Sequence, residues 1–265
     1  MDRDDVAMVA ASFSQDAPLY ERFWAASLAA LGQRLLAGLP IHSASVVVDI
    51  GAGVGALLPA IQEAAPRAFV AGVDAAEGMI RRAPREFGRV VMDAGRLALR
   101  DASIDGAVMP FMLFFLPDPR RGLAEARRVL RPGGRLGVAT WAAGLNEYPA
   151  YEMWADLLDE YGAPPDQAAS KMDLMDTPEK LIELLKDEGF RNVRTATEAE
   201  PVSLTLDQFL EVRAKIGRSK RRLQRLAPDA RTALLSEARM RLVRLRPEDF
   251  TDPQVALLAW GTKPG

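Results

Sequence analysis

A rhythm of short apolar runs, each ending at an acid, a glycine or a proline, limits this fold more than any other feature. The first run is Val46-Val47-Val48-Asp49-Ile50, and Gly51, Gly53 and Gly55 follow it. A β-branched run with no polar alternation suits a strand buried on both faces. Ala68–Val73 repeats the pattern and ends at Asp74. Arg89–Met92 ends at Asp93, and Ile104–Met109, introduced by Asp105, ends at Pro110. Helical stretches lie between the runs, one reaching about Ala65 and another over Arg120–Leu130. Arg131-Pro132-Gly133-Gly134 closes the latter, and Arg135–Trp141 is a fifth strand. Strands alternating with helices predict a parallel sheet with right-handed crossovers.

The flanks are helical. Residues 18–39 carry Leu19, Phe23, Leu28, Leu31, Leu35 and Leu39 at helical spacing and predict one amphipathic helix. Residues 147–161 read as an aromatic-rich helix holding Tyr148, Tyr151, Trp154 and Tyr161. Thr177-Pro178 has the form of an N-cap followed by proline at the first helical position. Arg191–Leu204 reads as a strand. Thr205-Leu206-Asp207-Gln208 has the capping-box pattern and opens a helical region reaching about Arg246, before a last strand at Val255–Trp260. The expected division is a helical cap over 1–40, a Rossmann-like core over 41–145, and a helical insertion with a core helix over 146–190. The remainder, 191–265, holds the last two strands with a helical lid insertion at about 206–247.

Composition removes several chemistries. The chain has no cysteine, which excludes disulfides, thiolate metal sites and thiol nucleophiles. Its one histidine, His42, argues against a histidine-rich metal site and a Ser–His–Asp triad, so no metal is expected. The first residues lack a basic stretch followed by an apolar one, and no apolar run reaches the ~20 residues that span a bilayer. The expected location is cytoplasmic.

The glycine loop and the strand-end acids suggest a ligand. Glycines let the backbone turn sharply and approach a ligand closely. In open α/β sheets ligands sit at the carboxyl ends of the strands. Gly51, Gly53 and Ala56 also satisfy the dinucleotide pattern G-x-G-x-x-[GA]. Asp49 separates the choices, because a carboxylate there repels a pyrophosphate and suits a ligand carrying an ammonium and a sulfonium. S-adenosylmethionine (SAM) has both. Asp74 lies near the ~20-residue spacing at which an acid bonds ribose hydroxyls, and serves either ligand.

The chain resembles a class I SAM-dependent methyltransferase of the small-molecule type. The likeness rests on Val46–Gly55, Ala71–Ile80, Val91–Ala94, Ile104–Pro119 and above all Arg127-Arg128-Val129-Leu130-Arg131-Pro132-Gly133-Gly134-Arg135-Leu136. It covers about residues 45–142 and extends more weakly to Val255–Pro264. It implies a seven-stranded, mostly parallel Rossmann-like sheet of order 3-2-1-4-5-7-6, the seventh strand antiparallel, with helices on both faces. It also implies cofactor roles. Asp49, Gly51 and Ala52 would hold the methionine portion of SAM, with Gly53 and Gly55 shaping the loop. Asp74 and Ala75 would lie at the ribose, Met79 against the adenine, and Asp93 and Ala94 at the adenine amino group. Met109 and Pro110 would pass near the methyl donor. Many relatives carry polar residues after the fourth strand; here the run is Phe111-Met112-Leu113-Phe114-Phe115-Leu116. The usual candidates for a general base are therefore missing, and no catalytic residue is assigned.

The expected acceptor is a small molecule methylated at O, N or C. The chain lacks an Asn/Asp-Pro-Pro-Tyr/Phe motif after the fourth strand, which disfavours amino methylation of DNA bases or protein glutamine. Trp141, Tyr148, Tyr151 and Trp154 either line an acceptor site or pack the insertion helix. Phe114 reads equally as pocket wall or core, and Phe13 and Tyr20 would belong to an N-terminal flap. The formal net charge of −2 hides an asymmetry, since residues 211–246 carry a net +9 and the rest −11. That segment is a solvated helix paired with acids, a contact for an anionic substrate, or a surface for RNA or an anionic membrane. The alternatives to a small-molecule enzyme are an RNA methyltransferase and a non-catalytic SAM-binding module.

Overall fold

A computed structural model describes residues 2–145, 147–164 and 171–265, with the side chains of 2–5 and of Arg218 left aside. The chain divides into two compact units, one formed by Met1–Ala143, Ser170–Glu198 and Ala256–Gly265, the other by Gly144–Ala169 and Ala199–Val255. The 146–190 stretch is thus shared between them. Among the described residues no helix is long and apolar enough to cross a membrane.

The first unit is built on a seven-stranded sheet. Its strands, numbered in chain order, are β1 (Val46–Ile50), β2 (Phe69–Asp74), β3 (Gly88–Val91), β4 (Ile104–Pro110), β5 (Leu130–Trp141), β6 (Arg191–Ala199) and β7 (Val255–Thr262). So numbered, they lie in the order 3-2-1-4-5-7-6. The pairs β3/β2, β2/β1, β1/β4 and β4/β5 are parallel, and β7 runs antiparallel to β5 with Trp141 opposite Ala256. Val47, Val48, Asp49 and Ile50 are all buried, as a two-sided strand requires. The Arg131–Gly134 turn interrupts the β4/β5 ladder, where the register shifts between Ile104 and Gly106. At that lower edge Asp105 accepts hydrogen bonds from the backbone N–H groups of Ser45 (2.8 Å) and Val46 (2.9 Å) and pairs with Arg131. These partners hold its carboxyl below the usual range despite the opposing effect of burial.

Helices α1 (Asp2–Phe23), α2 (Ala25–Ala37), α3 (Leu58–Ala64), α4 (Glu77–Ile80), α5 (Pro119–Val129) and α7 (Pro178–Asp187) belong to this unit. The single helix expected over 18–39 is two. The break falls at Trp24, whose φ of −116° departs from helical values although its carbonyl still accepts the Leu28 N–H (3.0 Å) as well as the Ser27 hydroxyl (3.1 Å). Thr177 caps α7 through the N–H of Lys180 (3.3 Å), with Pro178 at the first helical position.

The second unit is mostly helical and comprises α6 (Pro149–Glu160), α8 (Leu206–Lys215), α9 (Gly217–Gln224) and α10 (Pro228–Leu242), with a short ladder between Val202–Ser203 and Thr251–Asp252. The strand expected over Arg191–Leu204 is therefore two strands, β6 and the Val202–Ser203 piece. The helical region opened by Thr205 is three helices, broken at Ile216 and Gly217, whose φ is +67°, and again before Pro228. The capping box at Thr205 and Gln208 forms in both directions. Trp154, Phe209, Leu157, Leu234 and Leu242 make a dry core. Trp154 is fully buried there, so it packs its helix rather than lining a surface. The cations of this segment are largely paired within the unit: Lys215 with Glu211, Arg222 with Asp159, Arg239 with Asp207, and Arg241 with Glu160 and Glu237. That arrangement fits the reading of helices paired with acids.

Candidate cofactor site

The site lies at the carboxyl edge of the first unit's sheet, where β1, β2 and β3 end side by side. Asp49 is the fourth residue of β1 and only 1% exposed, and its Oδ1 has no hydrogen-bond partner. Burial, reinforced by the nearby Asp74 carboxylate, pushes its pKa up to about 8. Asp74 ends β2. Its Oδ2 accepts the N–H of Gly53 (2.8 Å) and its Oδ1 that of Ala76 (2.7 Å). Burial raises the Asp74 carboxyl, and these two bonds oppose the rise. One carboxylate thus ties the glycine loop to the end of β2 and keeps lone pairs for a further donor.

The loop needs its glycines. Gly51 has φ +78°, and a Cβ there would sit 2.6 Å from Cβ of Met112. Gly55 has φ +74°, and a Cβ there would sit 2.6 Å from Cβ of Ala83. Backbone N–H groups of Gly51 and Ala52 bond the Val73 carbonyl (2.8 and 3.0 Å), which pins the loop to β2.

Helix α1 covers this edge. The Gly78 N–H donates to the Ser14 hydroxyl (3.1 Å), and a Cβ on Gly78 would strike Ser14. Glu21 pairs with Arg82. Tyr20 is half-buried close to Asp74 and Asp49, and desolvation with both carboxylates pushes its phenol far above the ordinary value. Phe13 meets Tyr20 edge-on at 6.2 Å and Phe115 at 5.0 Å, and Phe115 leans on Phe114 at 4.5 Å. Met79 is buried with Val54, Ala76 and Ala17, and Phe13 and Tyr20 pack on that cluster. Phe13, Tyr20, Phe114 and Met79 are thus gathered around the loop with Asp49 and Asp74.

Other expected residues sit less directly. Asp93 uses Oδ1 to accept the Gly95 N–H (2.8 Å), making a turn beyond β3, with Ala94 buried beside it. Ala75 and Pro110 are half-buried at the ends of β2 and β4. Met109 is fully buried, with its methyl near Gly122 of α5, so only its backbone belongs to the edge. Trp141 lies against Phe111 with ring centres 4.5 Å apart. Tyr148 lies in the second unit, buried, and accepts a hydrogen bond from Arg213. His42 is exposed in the turn before β1.

Phe111 has a feature that its residue type does not signal. It follows β4 with φ +56°, a conformation non-glycine residues rarely adopt, and its N–H bonds the Ala139 carbonyl (2.8 Å). Asparagine or glycine at this position would have given the turn away.

Residues 48–138 match the family described as "Methyltransferase domain". The match places a methyltransferase domain on these residues. A Geobacter sulfurreducens malonyl-[acyl-carrier protein] O-methyltransferase is 31% identical over 58% of this chain and 58% of its own length. A Micromonospora griseorubida protein provisionally named a 23S rRNA (guanine-N(1)-)-methyltransferase is 33% identical over 63% of each. The chain spans less than two thirds of both relatives. A Thermotoga maritima SAM-dependent methyltransferase shares the fold, with a TM-score of 0.56 and 19% identity, covering 95% of this chain and 98% of that one.

Proposed function

We propose that this protein transfers the methyl group of SAM to an O, N or C atom of a small-molecule acceptor. The observation that carries the reading is the buried Asp49 oxygen without a partner, beside a second carboxylate and under a loop of three positive-φ glycines. Such a cradle favours a cation and repels a pyrophosphate. Asp49 and the Gly51–Ala52 backbone hold the amino-acid portion, with Gly53 and Gly55 shaping the turn. Asp74 and Ala75 take the ribose, Met79 lies on the adenine, and Asp93 with Ala94 receives the adenine amino group. Met109 and Pro110 border the methyl end.

SAM supplies a sulfonium-activated methyl group. The chain's own contribution is alignment and exclusion of water. Phe13, Tyr20, Phe114 and Phe115 make an apolar cover, and no histidine stands at this edge among the described residues. An acceptor that is nucleophilic without a dedicated base suits such a site. Within the first unit, Trp141 is the acceptor-side candidate.

The paired state of Lys215, Arg222, Arg239 and Arg241 favours a small molecule over RNA. Incubation with methyl-labelled SAM and either a metabolite extract or total RNA, followed by mass spectrometry, tests this. Label in a small molecule is expected. Label confined to RNA, or none despite SAM binding, would contradict it.

A further inference from the structure

The second unit holds a group of buried polar side chains that its own fold leaves unsatisfied. Arg213, near the end of α8, places its guanidinium 4.7 Å from the Tyr151 ring centre, 5.3 Å from that of Phe209 and 5.9 Å from that of Tyr148. Its Nη2 donates to the Tyr148 hydroxyl, while its buried Nε has no partner. The Asp252 carboxylate stays 3.9 Å away. A structural Arg–carboxylate pair frequently closes to a two-bond fork. This one has not closed, and Asp252 instead uses Oδ1 to accept the Gln254 N–H (3.2 Å).

Gln254 adds an independent observation. It is 1% exposed, its φ is +43°, and neither end of its side-chain amide has a hydrogen-bond partner. Buried polar groups are normally satisfied, and a strained backbone that presents an unsatisfied amide is a mark of a ligand site. Asp252 thus meets the Gln254 backbone on one side and lies 3.9 Å from Arg213, both of which keep spare hydrogen-bonding capacity, and Tyr151 leaves part of its ring exposed on the same guanidinium.

We infer that Arg213, with Gln254, forms a binding site in the second unit for a flat organic carboxylate. A planar monoanion matches one guanidinium fork with a free Nε. A phosphate dianion would bring more negative charge beside Asp252 than a single arginine balances. The tyrosine rings favour a flat body next to the carboxylate. Burial raises the Asp252 carboxyl, which lessens its competition for the same guanidinium.

The test uses the full chain. Benzoate, 2-naphthoate and octanoate, each beside its primary amide, are titrated by calorimetry and saturation-transfer NMR. At least one aromatic carboxylate is expected to bind ten-fold or more tightly than its amide, and more tightly than octanoate. Arg213→Lys should weaken that carboxylate at least ten-fold with an unchanged near-UV circular dichroism spectrum. Gln254→Met should weaken it while leaving the melting temperature equal or higher, because it removes an unsatisfied amide; a merely structural glutamine would lower it. No carboxylate preference, or a preference that survives both substitutions, overturns the inference. Titration with S-adenosylhomocysteine alongside keeps the two readings apart. A chain that binds it but prefers no carboxylate overturns only this inference, and a chain that shows the carboxylate preference without binding it overturns only the methyltransferase reading.

Discussion

Replacing Asp49 with asparagine should stabilise the ligand-free protein and cripple cofactor binding at once. The folded chain holds the Asp49 proton up to about pH 8 because the side chain is buried next to Asp74. The unfolded chain releases it near pH ~4. Between those values the folded state binds more protons, so stability falls as pH rises. Each pH unit climbed between them removes at most about 1.4 kcal/mol, which sets a ceiling of roughly 4 kcal/mol at pH 7. The two acids share this cost, and an amide must find its own partner, so about 2 kcal/mol is expected from Asp49→Asn, or ~4–8 °C in melting temperature. The gain should vanish at pH 4 and reach its maximum by pH 8. SAM binding should weaken ~10-fold or more, as expected for loss of a hydrogen bond to a charged group. Thermal melts from pH 4 to 8 and SAM titrations of both proteins check this. A variant that melts below wild type at pH 7.5, or binds SAM as tightly, would refute the role given to this carboxylate.

Three further outcomes follow from local geometry. Gly51→Ala, with φ +78° and a Cβ 2.6 Å from that of Met112, should lose about 1–3 kcal/mol and most SAM binding, read by denaturant melts and calorimetry. Trp154→Ala empties a fully buried position of the second unit and should cost about 3–5 kcal/mol, seen as early tryptic cleavage within 199–255. Thr205→Ala removes the Gln208 N–H bond of the capping box and should cost ~1 kcal/mol in a urea titration.

The sheet was legible because its strands are short, apolar and punctuated. Val46–Ile50 is buried on both faces, and each of β1 to β3 carries its acid at or just beyond the same edge. Asp49, Asp74 and the three glycines came from that pattern alone, whereas the adenine and methyl-end assignments came from family likeness. Tertiary contacts stayed hidden. The helix breaks at Trp24, Phe111 adopts a glycine-like conformation, and Arg213 does not close on Asp252. No local spacing encodes these. The basic segment left three readings open, and the pairing of Arg222 with Asp159 and of Arg241 with Glu160, far away in sequence, favours helices paired with acids. The net charge of a segment says nothing about such partners.

Calorimetric titration of the wild-type chain and Asp74→Ala with SAM, S-adenosylhomocysteine and NADH tests the central claim most directly. The account predicts one-to-one binding of both adenosyl ligands to the wild type, at least ten-fold weaker binding to the variant, and no competition from NADH. Absence of SAM binding, or displacement of SAM by NADH, would contradict it.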